Sequence, residues 1–103
     1  MLQRLQAALA ALGSAYHYVA EPNAVPPYMV WSEEGDNDLM AGNIHAERCF
    51  TGTIDLFTQA ENDPLAEGIP QALEGIGASY YLNVVDYEDD TGLIHFEWVW
   101  EVI

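Results

Sequence analysis

The side chains most able to carry chemistry in this sequence are three histidines, one cysteine and many carboxylates. His17, His45 and His95 stand far apart, without the short spacing to a second histidine or cysteine that zinc sites use. Cys49 has only Arg48 as a basic neighbour and no predicted helix start beside it, so an activated thiolate is not expected. No glycine-rich phosphate loop is present. The sequence therefore predicts no enzyme, no catalytic residue, no metal site and no cofactor.

Two acidic stretches share part of the pattern of a calcium-binding loop. In the first, Asp36, Asp38 and Glu47 fit ligand positions, but Met40 stands where an oxygen ligand belongs. In the second, from Asp86 to Glu97, the glycine comes one residue late and lies inside a predicted hairpin. We interpret both stretches as solvated acidic turns.

Acidic residues dominate the charge balance. The chain has 17 Asp and Glu against 2 Lys and Arg, which gives a formal net charge of −15. Such a surface repels nucleic acid and anionic membranes, and no apolar run reaches the ~18 residues of a membrane span. The charge is compatible with basic protein surfaces or cations as partners, and with no partner at all.

The length and composition predict a single domain over 1–103, because 103 residues, half of them hydrophobic, suffice for one core. The single cysteine excludes an internal disulfide and fits a reducing compartment.

Two segments have helical periodicity. Near the N-terminus, an apolar stripe with spacings of three, four and three runs through Leu2, Leu5, Leu9 and Leu12. The polar residues among them favour a folded helix over a signal peptide. A second stripe lies between Glu61 and Gly77, where Asp63 and Pro64 suit a helix start. Pro70 predicts a kink or a restart in that helix.

The remaining segments read as strands, predicted at 15–20, 28–31, 48–58, 79–88 and 93–103, with a further strand left open within 32–47. The last is the strongest, because every even position from Ile94 to Val102 is large and apolar. The order α-β-β-(β)-β-α-β-β predicts an α+β fold. We expect a two-layer sandwich, with a mostly antiparallel sheet of four or five strands and two helices on one face.

The predicted strands carry more apolar and aromatic residues than one core of this size requires. Such a surplus favours a protein–protein interface, although a thick core with some exposed tyrosines explains part of it. The candidate interface residues are Tyr28, Met29, Trp31, Leu39, Met40 and Tyr81.

Four motifs follow the N-terminal helix and extend over nearly the whole chain. They are PPYMVW at 26–31, GDNDLMAGN at 35–43, GTIDLFTQAENDPLAEGIPQAL at 52–73 and GIGASYYLNVVDYEDDTGLIHFEWVWEV at 75–102. Together they resemble the small tail proteins of long-tailed bacteriophages and prophages, the tail terminator or tail-completion class. The most specific parts are the strand-to-helix join DLFT…NDP and the end TGLIHFEWVWEV.

The resemblance implies a structural protein that forms a ring, commonly hexameric, stops tail-tube growth and joins the tube to the neck. Its partners would be further copies of itself, the tail-tube protein and a neck protein, in a virion tail assembled in the bacterial cytoplasm. DNA would pass through the ring under repulsion alone, and no membrane would be involved. Acidic residues are then expected to line the channel, either Glu33, Glu34, Asp36 and Asp38 or the turn at Asp89 and Asp90.

Two alternatives remain open from the sequence. The charge of −15 also fits an acidic protein that mimics DNA and inhibits a DNA-binding enzyme. Such a mimic needs regularly spaced acids on a rigid surface, whereas these acids cluster in predicted turns. The second alternative is another head–tail joining protein, which the motifs hardly separate from a terminator.

Overall fold

Two helices and five strands make up residues 2–36 and 50–102, the part of the chain that the computed structural model describes. In chain order they are α1 (Leu2–Leu12), β1 (Ala15–His17), β2 (Tyr28–Asp36), β3 (Phe50–Thr58), α2 (Leu65–Gly75), β4 (Ser79–Glu88) and β5 (Leu93–Val102).

The five strands form one sheet in the order β1-β2-β3-β5-β4. Only the short β1 runs parallel to its neighbour, and the other three pairs are antiparallel. β5 pairs with β3 on one side and with β4 on the other, so it lies inside the sheet. Within residues 2–36 and 50–102, β4 and β1 are the edge strands.

Both helices cover the same face of this sheet. Leu5 and Leu9 of α1 and Ile69 and Leu73 of α2 are fully buried, as their apolar stripes predict. They pack in one cluster with alternate residues of the three central strands, which are Met29, Trp31, Ile54, Leu56, Trp98, Trp100 and Val102. We call this side of the sheet the helix-covered face, and the other side the open face.

The join between β3 and α2 is fixed by a buried aspartate. The Thr58 hydroxyl donates to Oδ2 of Asp63 at 2.6 Å, and the Leu65 N–H donates to Oδ1 of the same carboxylate at 2.8 Å. Asp63 therefore satisfies a free N–H at the helix start, the role predicted for it. The hydrogen bond between Thr58 and Asp63 explains why the strand-to-helix motif DLFT…NDP contains these two residues. Helix α2 continues through Pro70 without a second start.

The predicted α+β class is confirmed, with two helices on one face of a mostly antiparallel sheet. β1 is shorter than predicted, because Tyr18 adopts a left-handed backbone conformation with φ of 71° and turns the chain out of the strand. A cis peptide bond joins Pro26 and Pro27 before β2. The optional strand within 32–47 falls mostly outside the described residues.

Among the described residues, neither helix has the length and hydropathy needed to cross a membrane.

Candidate functional site

Strand β4 exposes a row of apolar side chains on the helix-covered face. Leu82, Val85 and Tyr87 are 49%, 58% and 60% exposed, although Leu82 lies directly opposite the core residue Trp98. A register shift between Leu82 and Val84 keeps Val85 and Tyr87 on this face. We call these three residues the β4 apolar row. It continues the core surface past the area that the helices bury.

The same strand offers a free backbone edge. β4 is ten residues long and pairs only with β5 in the sheet of the described residues. An unpaired edge is a template for another strand, and an exposed apolar patch beside it is typical of a protein–protein contact. The combination makes β4 the strongest candidate assembly surface in the described chain.

The predicted interface residues divide between the two faces of the sheet. Tyr81 is 58% exposed on the open face, opposite Val99. Tyr28 is half-buried on the open face, where its ring stacks on Phe57 with a centroid distance of 5.1 Å. Both remain accessible to a partner. Leu39 and Met40 lie outside the described residues.

Met29 and Trp31 are not free for an interface. Both face the helices and are buried in the core, with Met29 fully inaccessible and Trp31 3% exposed. The His17 ring stacks on the Trp31 indole at a centroid distance of 3.8 Å and covers it further. The prediction that these two side chains are surplus apolar surface is therefore wrong. Both faces of β2 are apolar at residues 28–31, and the helices bury only one of those faces.

The predicted acidic residues lie at opposite ends of the sheet. Glu33 pairs with Gly52, which in turn pairs with Trp100 near the end of β5. Asp89 and Asp90 lie in the exposed loop that precedes Leu93, at the other end of that strand. Seven residues of strand separate the two ends, about 23 Å at roughly 3.3 Å per residue. The two acidic groups therefore form two separate surfaces.

The other predicted acidic residues extend the first of these surfaces. Glu34 is exposed on β2 beside Glu33, and the backbone of Asp36 ends that strand. Asp38 lies outside the described residues.

Glu33 is engaged by two neighbours and is not a free surface charge. Its carboxylate lies 2.7 Å from Nε2 of His17 and accepts a hydrogen bond from the Tyr18 hydroxyl. Desolvation is the largest single influence and raises the pKa of Glu33, but the hydrogen bonds from Tyr18 and His17 together lower that pKa below its ordinary value. The same contact raises the pKa of Tyr18.

Replacing Tyr18 by Phe is expected to raise the pKa of Glu33. A lowered carboxyl pKa gives stability that is present above the unfolded-state pKa and is lost as the pH falls through the folded-state pKa. Tyr18→Phe should therefore reduce the loss of stability in acid. A carbon NMR titration of the Glu33 carboxyl measures the shift directly. Tyr80→Phe is the matched control, since its hydroxyl donates to Glu74. Equal changes in the pKa of Glu33 in both variants would contradict the conclusion that the Tyr18 hydrogen bond lowers that pKa.

The open face holds a cluster that sequence spacing did not reveal. Asp55 on β3 and His95 and Glu97 on β5 place their ligand-type atoms within 4.8 Å of one another. Nε2 of His95 lies 2.6 Å from Oδ1 of Asp55, and the Asn83 amide donates to Glu97 at 2.9 Å. Burial raises the pKa of Asp55, and the facing Glu97 carboxylate adds to the rise while His95 opposes it. Asp55 lies 40 residues before His95 in the sequence, so the spacing of the histidines did not predict this contact.

Comparison with known proteins gives a fold and no family. No protein-family model matches the sequence, and no curated protein matches it significantly. Seventeen chains of solved structures match. One belongs to the virion of a native gene transfer agent particle; it is 15% identical, with a TM-score of 0.55 over 97% of this chain and 87% of that chain. At this identity the likeness shows a shared fold.

Proposed function

We propose that this chain is a non-enzymatic structural protein of a phage or phage-like particle, and specifically a tail terminator. It forms a ring, commonly hexameric, that ends tail-tube growth and joins the tail to the neck. The observation that carries the proposal is the fold, which a chain of a gene transfer agent virion shares over 97% of the present sequence. The motifs that resemble tail-completion proteins support the finer role.

The surface of β4 supports assembly. A ring requires a contact between two different surfaces of neighbouring subunits, repeated until it closes. The β4 apolar row and the free edge beside it supply one such surface, and Tyr81 extends it onto the open face. The tail-tube protein and a neck protein would bind the two flat sides of the ring.

The net charge of −15 supports a passage for DNA. A channel lined by carboxylates repels the phosphate backbone and so prevents sticking. Because the two acidic surfaces lie at opposite ends of β5, only one of them lines the channel at its narrowest level. The other would face the tube or the neck. The protein would act in the virion tail, after assembly in the bacterial cytoplasm.

Purified protein is expected to cap the ends of growing tail tubes and to halt their elongation. The assay mixes it with the tail-tube protein encoded nearest to its gene, and electron microscopy measures tube length and end structure. Val85→Asp should abolish capping, because it places a charge in the β4 apolar row. Val25→Asp makes the same chemical change at a loop position that is 76% exposed, and it should cap normally.

The same experiment separates the alternative functions. An acidic DNA mimic would leave tube length unchanged and would instead inhibit a basic DNA-processing enzyme in a salt-dependent manner. Another head–tail joining protein would bind the neck without shortening tubes. Tubes that grow to full length in the presence of a folded protein would refute the terminator role.

A further inference from the structure

We infer that Asp55, His95 and Glu97 form a binding site on the open face for a divalent transition-metal ion, with zinc the best fit. The inference rests on the geometry of three side chains from two adjacent strands. It does not depend on the proposed function, because the site lies on the face opposite the helices and uses none of the residues assigned to assembly.

The spacing of the three groups matches one metal ion. All three ligand atoms lie within 4.8 Å of one another, and Nε2 of His95 lies 2.6 Å from Oδ1 of Asp55. Bonds of about 2.0–2.2 Å at tetrahedral angles place ligand atoms roughly 3.3–3.6 Å apart. Small side-chain rotations therefore reach the required distances. Asp55 and Glu97 are direct cross-strand partners, so the backbone holds their positions.

Neighbouring side chains already hold these groups in place. The Phe57 ring stacks on His95 with a centroid distance of 4.5 Å, which fixes the plane of the imidazole. The Asn83 amide donates to Oε1 of Glu97 at 2.9 Å. Oε2 of Glu88 lies 3.9 Å from Nδ1 of His95, on the side away from Asp55. This separation is longer than a hydrogen bond, and a rotation that shortened it would make Glu88 the usual outer carboxylate partner of a metal-binding histidine.

The local charge favours a cation. Asp55 and Glu97 face each other across the strands, with Glu88 close by. The imidazole of His95 is the basic group that lies beside both Asp55 and Glu88. A divalent ion would neutralise the facing carboxylates and link β3 to β5. One imidazole and two carboxylates suit zinc with water as the fourth ligand, whereas calcium and magnesium prefer oxygen ligands alone.

Isothermal titration of the full chain with zinc chloride at neutral pH tests the site. We expect saturable binding of one zinc ion per chain, and a melting temperature that rises with zinc concentration. Binding should weaken as the pH falls, because protons compete with zinc for its ligand atoms. His95→Gln and Asp55→Asn should each weaken binding at least about tenfold. Cobalt(II) should give the visible absorption of a four-coordinate ion, lost in the same variants.

Two controls separate a built site from diffuse attraction to an acidic surface. Asp90→Asn removes the same charge from an exposed loop, and His17→Gln removes a histidine of β1 that contacts Glu33, Tyr18 and Trp31. Both should bind zinc like the original protein. Melting curves without zinc check that the variants fold. Asp55→Asn should fold well, since it relieves the repulsion between facing carboxylates. Zinc binding that is absent, or equally strong in all four variants, overturns the inference.

Discussion

A chain that lacks Trp98–Ile103 is expected to be unfolded. The deletion removes half of β5, the strand that joins β3 to β4, and exposes both ladders. It also removes the buried side chains of Trp98, Trp100 and Val102. Each such side chain contributes roughly 1.5–3 kcal/mol by burial. Their sum, about 5–9 kcal/mol, equals much of the ~5–15 kcal/mol by which a domain of this size is stable.

Circular dichroism and thermal melting test this expectation. The truncated chain should lack near-ultraviolet signal and a cooperative transition, whereas the full chain should show both. Glu101→Ala is the control within the same segment, because its side chain is exposed and its loss should leave the melting temperature nearly unchanged. A truncated chain that melts like the full one would show that β5 is dispensable.

Periodicity in the sequence predicted the elements that are apolar on one side. The leucine stripe of α1 and the stripe of α2 led directly to the buried residues Leu5, Leu9, Ile69 and Leu73. The even positions of β5 likewise predicted the buried Trp98 and Trp100. In each case the spacing of the apolar residues predicts the buried face, because only one face of the element is apolar.

The same logic failed where both faces of a strand are apolar. Residues 28–31 give no period, so the sequence alone did not decide that the helices bury Met29 and Trp31 and leave Tyr28 partly accessible. The choice depends on the side of the sheet to which α1 and α2 return, which is a tertiary property. The sequence pattern does not predict the register shift in β4 either, although that shift determines the face on which Val85 lies.

The candidate sites depend on strand register, which spacing does not show. Asp55 and His95 meet because β3 and β5 pair with Asp55 opposite Glu97. A shift of that register by one residue would move Asp55 to the other face. The β4 apolar row also depends on tertiary structure, since it is defined by where the helices end. Sequence reasoning therefore predicted the fold class and a surplus of apolar strand residues, but not which of them are exposed.

Replacing Gly52 by Ala is expected to destabilise the protein by roughly 3 kcal/mol or more, at the upper end of the range for overpacking a core. Gly52 lies within β3, close to the backbone of β2. A Cβ atom there would meet the backbone oxygen of Ser32 at 1.9 Å and the Trp100 indole at 2.6 Å. The Ser32 oxygen belongs to the backbone and cannot rotate away as a side chain can, and the Trp100 indole is fully buried. Urea denaturation should show a much lower midpoint with a similar slope.

A matched variant and a double variant test the cause. Gly75→Ala adds the same methyl group where nothing lies within 4 Å, and it should leave stability unchanged or raise it by about 0.5–1 kcal/mol. If the indole contact carries part of the cost, Trp100→Phe should destabilise the protein less in the Gly52→Ala background than alone, because the smaller ring makes room for the methyl group. Additive effects would assign the whole cost to the Ser32 backbone contact. A Gly52→Ala midpoint equal to the original would show that β2 and β3 can separate here without loss, and that the close packing of Trp100 on β3 does not hold the sheet together.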